Sequence, residues 1–183
     1  KFSLGSVAKA SKIVGFVTAN GFIWLFTIFK RMLLKSVIVY HFYKNYSLDI
    51  RNSEGVEKLF KRYKKNISLI INCAAQQSHD YGKNNPQIDF KVNAQGTLNL
   101  LELTKKYCSD APFIFMSTNK VYGDNPNKLR FAETKTRWEL SKKDRFYQGI
   151  KENFSIDNCT HSFFGVSKTY ADLIVQEYGK NVG

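Results

Sequence analysis

Residues that build disulfide and metal sites are scarce in this chain. Its 183 residues include only three cysteines and three histidines. The cysteines, Cys73, Cys108 and Cys159, show no CxxC spacing, and the histidines lie too far apart in sequence for a metal motif. The sequence therefore predicts neither a disulfide framework nor a metal centre. It fits a reducing compartment, and we expect a cytoplasmic location.

Long uncharged runs are also scarce, and one of them, residues 13–29, has to be weighed as a membrane span. It is followed by Lys30 and Arg31, but it lies at the short end of the roughly 17–25 residues that a span needs, and it contains Asn20. A buried strand and the helix after it give the same pattern. We expect that strand and helix, with no membrane segment, and rank a membrane-tethered domain last.

Acidic residues are few beside the basic ones, 15 against 28, which gives a net charge of +13. Such a balance raises nucleic acid as a partner. The lysines, however, are scattered in pairs such as Lys64-Lys65 and Lys105-Lys106, mostly where helices are predicted to end, and positive charge there complements the helix dipole. No nucleic-acid partner is expected, although anionic nucleotide ligands would benefit from the field.

The rest of the chain alternates between helical and strand-like hydrophobic patterns. Asn52 or Ser53 can cap a helix in which apolar residues recur at helical spacing. Residues 67–73 and 113–116 are short apolar runs, typical of strands buried on both faces. Pro86 opens a long helix between them, so the two strands are expected to be parallel and joined by a right-handed crossover.

A last helix is predicted over 164–178, with Gly179 as its end. Its core-facing residues are predicted to be Val166, Tyr170, Leu173 and Ile174. Before it, residues 124–160 form a long polar insertion, which in a compact domain is a functional loop or a loosely ordered segment. These elements predict an α/β fold with a doubly wound parallel sheet, Rossmann-like, over residues 46–183. Ligands of such sheets bind beyond the carboxyl ends of the strands.

Both predicted strands end in small or hydroxyl residues. Ala74 and Ala75 follow the first strand, where small side chains let a ligand lie close to the backbone, and Ser117-Thr118 follow the second. On the last helix Lys168 comes four residues after Phe164, so both project from one face. Each feature alone has an ordinary reading as packing or turn capping. Their occurrence together favours a ligand site at the strand ends.

In this order the segments resemble the extended short-chain dehydrogenase/reductase superfamily, the nucleotide-sugar epimerases and dehydratases. Residues 117–124 (STNKVYGD), 74–80 (AAQQSHD), 136–139 (TRWE) and 161–177 are similar to its CDP-paratose (CDP-tyvelose) 2-epimerase branch. The resemblance covers roughly three quarters of the chain, and its motifs follow one another in the order that the family has.

The resemblance implies an epimerase that uses NAD to take a hydride from a sugar carbon and return it to the opposite face. The positions that match cofactor contacts are Gly21, Asp49, Ile50, Ala74, Ala75, Gln76, Asn93 and Lys168. The positions that match catalytic residues are Thr118, Lys168 and Phe164, the last standing where the family has a tyrosine. The implied substrate is a nucleotide sugar, with a CDP-sugar favoured. The family's two-helix face implies a homodimer through the 86–107 and 164–178 helices.

Phe164 leaves the choice of general base open, because phenylalanine has no exchangeable proton. Tyr122, Lys120 and His161 are the neighbouring candidates for taking the proton of the sugar hydroxyl, and the sequence does not choose among them. The alternatives to the 2-epimerase are another nucleotide-sugar epimerase or dehydratase and a non-catalytic nucleotide-binding remnant. A dehydratase is disfavoured, because Asn119-Lys120 follow the hydroxyl pair where acidic residues would be expected.

The amino end departs further from the family. A dinucleotide fold needs a glycine-rich turn at a helix N-terminus, so that backbone amides can approach the pyrophosphate. Around Gly21 that turn lacks its first glycine, and Trp24 stands in place of the third. Residues 1–45 are therefore expected to be a degraded or rearranged first β-α unit. The domain is also expected to be incomplete, lacking the carboxyl-terminal substrate domain of the family.

Overall fold

The computed structural model describes residues 12–19, 22–29, 46–76 and 78–182, with the backbone alone for 12–19, 22–29 and His79. The strands and helices are β1 (Lys12–Ala19), β2 (Phe22–Phe29), α1 (Ser53–Tyr63), β3 (Ile67–Cys73), α2 (His79–Asn84), α3 (Pro86–Asp89), α4 (Gly96–Tyr107), β4 (Phe113–Phe115), β5 (Phe131–Glu133), β6 (Trp138–Leu140) and α5 (Ser162–Asn181). Short 3-10 turns cover Lys64–Asn66, Asn119–Tyr122 and Asn125–Lys128, and a π-helical segment covers Phe90–Gln95.

The main sheet has the strand order β2-β1-β3-β4. β1, β3 and β4 run parallel to one another, which confirms the predicted Rossmann-like parallel sheet and the crossover between β3 and β4. The prediction that β4 is buried on both faces is wrong, since Ile114 and Met116 are 45% and 52% exposed. β2 instead runs antiparallel to β1, with Ala19 paired to Phe22. The prediction of a helix after the first strand is therefore wrong. Residues 22–29 are rich in aromatic and β-branched types, which favour a strand.

The core lies between α1, β3 and α4. Of the two predicted candidates, Asn52 and Ser53, Asn52 caps α1, because its Oδ1 accepts a hydrogen bond from the backbone N–H of Gly55 at 2.9 Å. Phe60 on α1, Ile70 on β3 and Leu100 on α4 are at most 1% exposed and meet in one cluster. The helical periodicity of the sequence therefore predicted correctly which faces of α1 and α4 pack against the sheet.

The long helix predicted from Pro86 is continuous but changes its winding. α3 is followed by the π-helical segment Phe90–Gln95 and then by α4. π-helical turns carry an extra residue per turn and are frequent at functional sites. Val92, Asn93 and Ala94 of this segment are buried. Asn93, one of the predicted site residues, is therefore presented to the interior by an irregular turn.

The buried face of α5 differs from the predicted one. Val166, Tyr170 and Leu173 are 57%, 38% and 49% exposed, so their assignment to the core was wrong. The buried residues are Gly165, Ser167, Lys168 and Ala171. Small residues let α5 lie close to the turn Asn119–Tyr122, since a Cβ on Gly165 would lie 3.0 Å from the carbonyl oxygen of Lys120.

α5 continues through Gly179 to Asn181, so the predicted end at that glycine was also wrong. Among the residues that the structure describes, no helix is both long and apolar enough to cross a membrane.

The 124–160 insertion is closed at its base. Gly123 has a φ of +59°, and a Cβ there would lie 2.7 Å from Cys159 Sγ, so glycine is required where the two ends meet. The backbone N–H of Thr160 donates to Asp124 Oδ1 at 3.2 Å across the same junction. Within the insertion β5 and β6 form a two-stranded antiparallel sheet.

A matched pair of leucines tests this packing. Leu100→Ala is expected to lower the free energy of unfolding by about 3 kcal/mol, because Leu100 is fully buried. Leu173→Ala on the exposed face of α5 should cost less than about 1 kcal/mol. Urea denaturation at concentrations where the chain is monomeric measures both. Equal losses would mean that α5 buries the face predicted from the sequence.

Candidate functional site at the carboxyl ends of β3 and β4

Lys168 ties α5 to the carboxyl end of β4. Its side chain is 3% exposed. Nζ donates a hydrogen bond to the carbonyl oxygen of Met116 at 2.6 Å and lies 4.1 Å from the centroid of the Phe115 ring. The carbonyl and the ring face both stabilise a positive charge that has lost its water. Lys168 therefore contacts the carboxyl end of β4, the strand whose end was predicted to share a site with it.

Burial determines the charge state of this lysine. It lowers the pKa of Lys168 to about 8, while the neighbouring Asp172 and, to a smaller extent, Cys73 act to raise it. Burial likewise raises the pKa of the Cys73 thiol, and the Lys168 charge opposes that shift. An amine with this pKa is mostly protonated at neutral pH and responds to charges placed beside it.

The two hydroxyls after β4 point to different partners. Ser117 donates a hydrogen bond to the carboxylate of Asp172 on α5. Thr118 Oγ1 accepts a hydrogen bond from the backbone N–H of Lys120 at 3.3 Å and lies 3.3 Å from Asn119 Oδ1, to which it can donate. Thr118 is half-buried and caps its own 3-10 turn, so its hydroxyl stays at the surface of the strand-end region.

Side-chain amides fix the loop after β3. The backbone N–H of Ala74 donates to Asn72 Oδ1 at 3.0 Å, and Asn72 Nδ2 donates to Thr97 Oγ1 on α4 at 3.0 Å. Asn72 is 1% exposed and Thr97 fully buried. Sequence reasoning missed both. The signal was available for Asn72, which is a polar residue near the end of an otherwise apolar strand.

Asn93 continues this network towards the lysine. Its Oδ1 accepts from the backbone N–H of Gln76 at 2.8 Å, and its Nδ2 donates to Ser167 Oγ on α5 at 2.9 Å. Ser167 precedes Lys168, and its hydroxyl donates to the carbonyl of Phe164 at 2.8 Å. The structure therefore brings Gln76, Asn93 and the Lys168 turn of α5 together. The roles assigned to them as site residues stay predictions.

The candidate bases lie at the junction of the insertion and α5. The Tyr122 ring packs edge-on against Phe154 with 5.8 Å between centroids, and the ring nitrogens of His161 lie 3.7 Å from Cys159 Sγ. Lys120 is exposed, with its backbone against Gly165. All three border the strand-end region, and the choice among them stays open.

The other end of the predicted cofactor site is partly described. The Asp49 carboxylate accepts hydrogen bonds from the Arg51 guanidinium at 2.6 to 3.0 Å and from its backbone N–H at 2.8 Å. Ile50 is 1% exposed and packs against Gly96. Gly21 lies outside the described residues.

Comparison with known proteins matches this layout. Residues 33–183 match the sequence model of the family described as GDP-mannose 4,6 dehydratase. The chain is 36% identical over 135 residues to CDP-paratose 2-epimerase of Salmonella typhi, covering 74% of this chain and 38% of that protein. It is 34% identical over 85 residues to UDP-glucuronate 4-epimerase of Thermodesulfobacterium geofontis, covering 46% of this chain and 25% of that protein. The chain thus spans less than two fifths of the length of either relative.

Solved structures give the same fold. UDP-glucose 4-epimerase of Thermus thermophilus, in complex with NAD, aligns with a TM-score of 0.53 at 27% identity, over 73% of this chain and 35% of that chain. The UDP-Glc/GlcNAc 4-epimerase of Campylobacter jejuni aligns with a TM-score of 0.58 at 21% identity, over 76% of this chain and 35% of that chain. The first of these structures contains NAD, the cofactor that the family resemblance implies.

The superfamily predicted from the strand-end motifs is confirmed by three agreeing observations. The family match covers most of the chain, the two relatives named above are nucleotide-sugar epimerases, and the fold is that of solved nucleotide-sugar epimerases. The chain belongs to the family described as GDP-mannose 4,6 dehydratase, within the extended short-chain dehydrogenases/reductases that include the nucleotide-sugar epimerases and dehydratases.

Proposed function

We propose that this chain is the cofactor-binding part of an NAD-dependent epimerase that acts on a CDP-sugar. The observation that carries the proposal is the buried ammonium of Lys168 at the carboxyl end of β4, next to the Ser117-Thr118 pair. The identity of 36% with CDP-paratose 2-epimerase supports the choice of sugar nucleotide. The free thiols of Cys73, Cys108 and Cys159 favour a reducing, cytoplasmic location.

The described residues fit the two ends of a dinucleotide unequally. The small Ala74-Ala75 pair, the Asn93 amide and the Lys168 ammonium lie at the strand ends, where a nicotinamide ribose needs close backbone and a cation. For the pyrophosphate a helix N-terminus is needed. Residues 22–29 form β2 instead, so they do not supply that helix. The fit therefore supports cofactor binding at the nicotinamide half only.

Each residue of the strand-end region has a physical task in this proposal. NAD, when bound, supplies the acceptor and donor of the hydride that leaves and returns to the sugar carbon. Lys168 binds the hydroxyls of the nicotinamide ribose, and its charge lowers the pKa of a nearby acid-base group. Thr118 donates a hydrogen bond to the reacting sugar oxygen. The base is Tyr122, Lys120 or His161, because Phe164 cannot take a proton.

A second candidate function is a non-catalytic nucleotide-binding remnant. Two observations favour it: β2 replaces the helix expected at the pyrophosphate, and Phe164 replaces the tyrosine of the family. Such a remnant would bind NAD weakly or not at all and would form no product. Cofactor titration and a product assay therefore separate the two candidates.

Titration of the chain with NAD, followed by calorimetry, is expected to give a dissociation constant in the micromolar range. The affinity should fall as the pH rises through about 8, because Lys168 then loses its proton and its charge. Lys168→Met should weaken binding about tenfold or more, since it removes a charge-assisted hydrogen bond. Lys180→Met, at an exposed position of the same helix, is the control and should change nothing.

Incubation with NAD and CDP-paratose is expected to form CDP-tyvelose, resolved by chromatography. Binding of NAD without that product would remove the substrate from the proposal and keep the cofactor site. Absence of both binding and product would favour the remnant.

Phe164→Tyr tests whether the missing phenol limits turnover. The substitution is expected to raise the turnover rate or leave it unchanged, because a tyrosine adds a proton-transfer group one helical turn before Lys168. Phe163→Tyr adds the same hydroxyl at an exposed neighbouring position and is the control. A fall of about tenfold or more in Phe164→Tyr alone would show that the phenylalanine is itself adapted to the site.

An exposed apolar surface on α5 supports a homodimer. Val166, Tyr170 and Leu173 lie along α5, and Phe90 of the π-helical segment contacts Tyr170 with 6.1 Å between ring centroids. Large contiguous apolar surfaces of this kind are typical of interaction sites. A second copy of the chain, related by a two-fold axis, would cover the surface with the same surface of its own.

Leu173→Asp is expected to make the chain monomeric at micromolar concentrations, because it places a charge in the centre of this surface. Tyr147→Asp introduces the same charge at an exposed aromatic of the insertion and should leave the dimer intact. Sedimentation velocity measures both. A wild-type chain that sediments as a monomer would contradict the proposed dimer.

A further inference from the structure

Two consecutive turns of α5 hold the two residues that follow β4. Lys168 donates to the carbonyl oxygen of Met116 at 2.6 Å, and Asp172, one turn later, accepts a hydrogen bond from the Ser117 hydroxyl. On its other side Met116 donates from its backbone N–H to the carbonyl of Asn72 at 3.1 Å. The segment is thereby fixed between β3 and α5, immediately before Thr118.

The Asp172 carboxylate is held at both oxygens. Oδ1 accepts a hydrogen bond from Gln176 Nε2 at 2.7 Å, one turn further along α5, and Oδ2 accepts the one from Ser117. Lys168, Asp172 and Gln176 thus form a row at four-residue spacing on one face of the helix. A carboxylate with a partner on each oxygen presents a defined orientation to the serine.

Asp172 also acts on the charge of its neighbour. It is the main group that opposes the effect of burial on the pKa of Lys168, ahead of Cys73 on β3. α5 packs in addition against α2, α3, the π-helical segment Phe90–Gln95, α4 and the turn Asn119–Tyr122. None of the titratable residues with described side chains on these elements is among the causes of the shift; they are Asp80, Tyr81, Lys83, Asp89, Lys91, Glu102, Lys105, Lys106, Tyr107, Lys120 and Tyr122.

We infer that Asp172 is a positioning residue for the Ser117-Thr118 hydroxyl pair. By holding Ser117 against α5, it leaves Thr118 as the hydroxyl of the pair that can meet a sugar oxygen. At the same time its charge favours the protonated form of Lys168, whose ammonium is bonded to the Met116 carbonyl just before the pair. The inference rests on the proposed function, but it concerns contacts within the chain and is tested without cofactor or substrate.

The test uses nuclear magnetic resonance on the 183-residue chain, isotope-labelled at the lysine ε-carbons and the backbone amides. Asp172→Asn is expected to lower the pKa of Lys168 by about 1 unit, because an opposite charge is lost. Asp172→Glu keeps the charge and should keep the pKa. Ser117→Ala should leave that pKa unchanged and shift the amide resonance of Thr118. Glu177→Gln, which removes an exposed carboxylate from the same helix, should change neither.

A double variant shows whether Asp172 acts through Ser117. Asp172→Asn combined with Ser117→Ala should shift the Thr118 amide no further than the larger single change, since both break one contact. Additive shifts, or an unchanged Lys168 pKa in Asp172→Asn, would overturn the inference. If Asp172→Asn does not fold, Asp172→Glu and Ser117→Ala decide: displacement of the Thr118 amide in both supports it, and in neither overturns it. A wild-type chain that fails to bind NAD would remove the proposed function and leave these readouts intact.

Discussion

The buried ammonium of Lys168 constrains how α5 packs against β4. A charge taken out of water needs compensation at close range, and it finds the Met116 carbonyl and the Phe115 ring. Both belong to β4 or its end, so α5 has to lie against that strand. Close approach in turn requires a small residue such as Gly165 on the buried face. The larger apolar side chains of α5 are then left on the opposite side, where they face outward.

Polar contacts organise the strand ends as much as apolar packing does. Asn72 and Asn93 each bond a backbone N–H of the loop after β3 and a hydroxyl on a helix. A buried amide that lost one of these partners would cost about 1–3 kcal/mol. The loop is therefore fixed relative to α4 and α5 together, and a ligand that approaches it meets a surface that is already in place.

Hydrophobic periodicity predicted α1 and β3 correctly, because their apolar residues meet in one core cluster. It placed β4 correctly as a strand but not its burial, since Ile114 is 45% exposed. It failed for α5, whose predicted core-facing residues Val166, Tyr170 and Leu173 are exposed. Periodicity finds the apolar face of a helix, but it does not tell whether the same chain or another molecule covers that face. The uncharged run that forms β2 is equally apolar as helix or strand. The Asn72–Thr97 contact joins residues 25 positions apart, and only the fold reveals it. The sequence motifs identified Lys168 as a site residue. They did not identify the Met116 carbonyl and the Phe115 ring as the groups that orient it.

The two ends of the 124–160 segment meet at its base, so the length of the segment can change without moving the residues beside it. Gly123 and Cys159 touch, and Asp124 accepts a hydrogen bond from Thr160, so the chain leaves the domain and returns at nearly one point. Lengthening a loop whose ends are already joined adds little entropic cost, about 0.6 kcal/mol per doubling. Evolution can therefore extend, shorten or exchange this excursion as a module. The insertion can therefore acquire a new recognition surface while the residues at the strand ends keep their spacing.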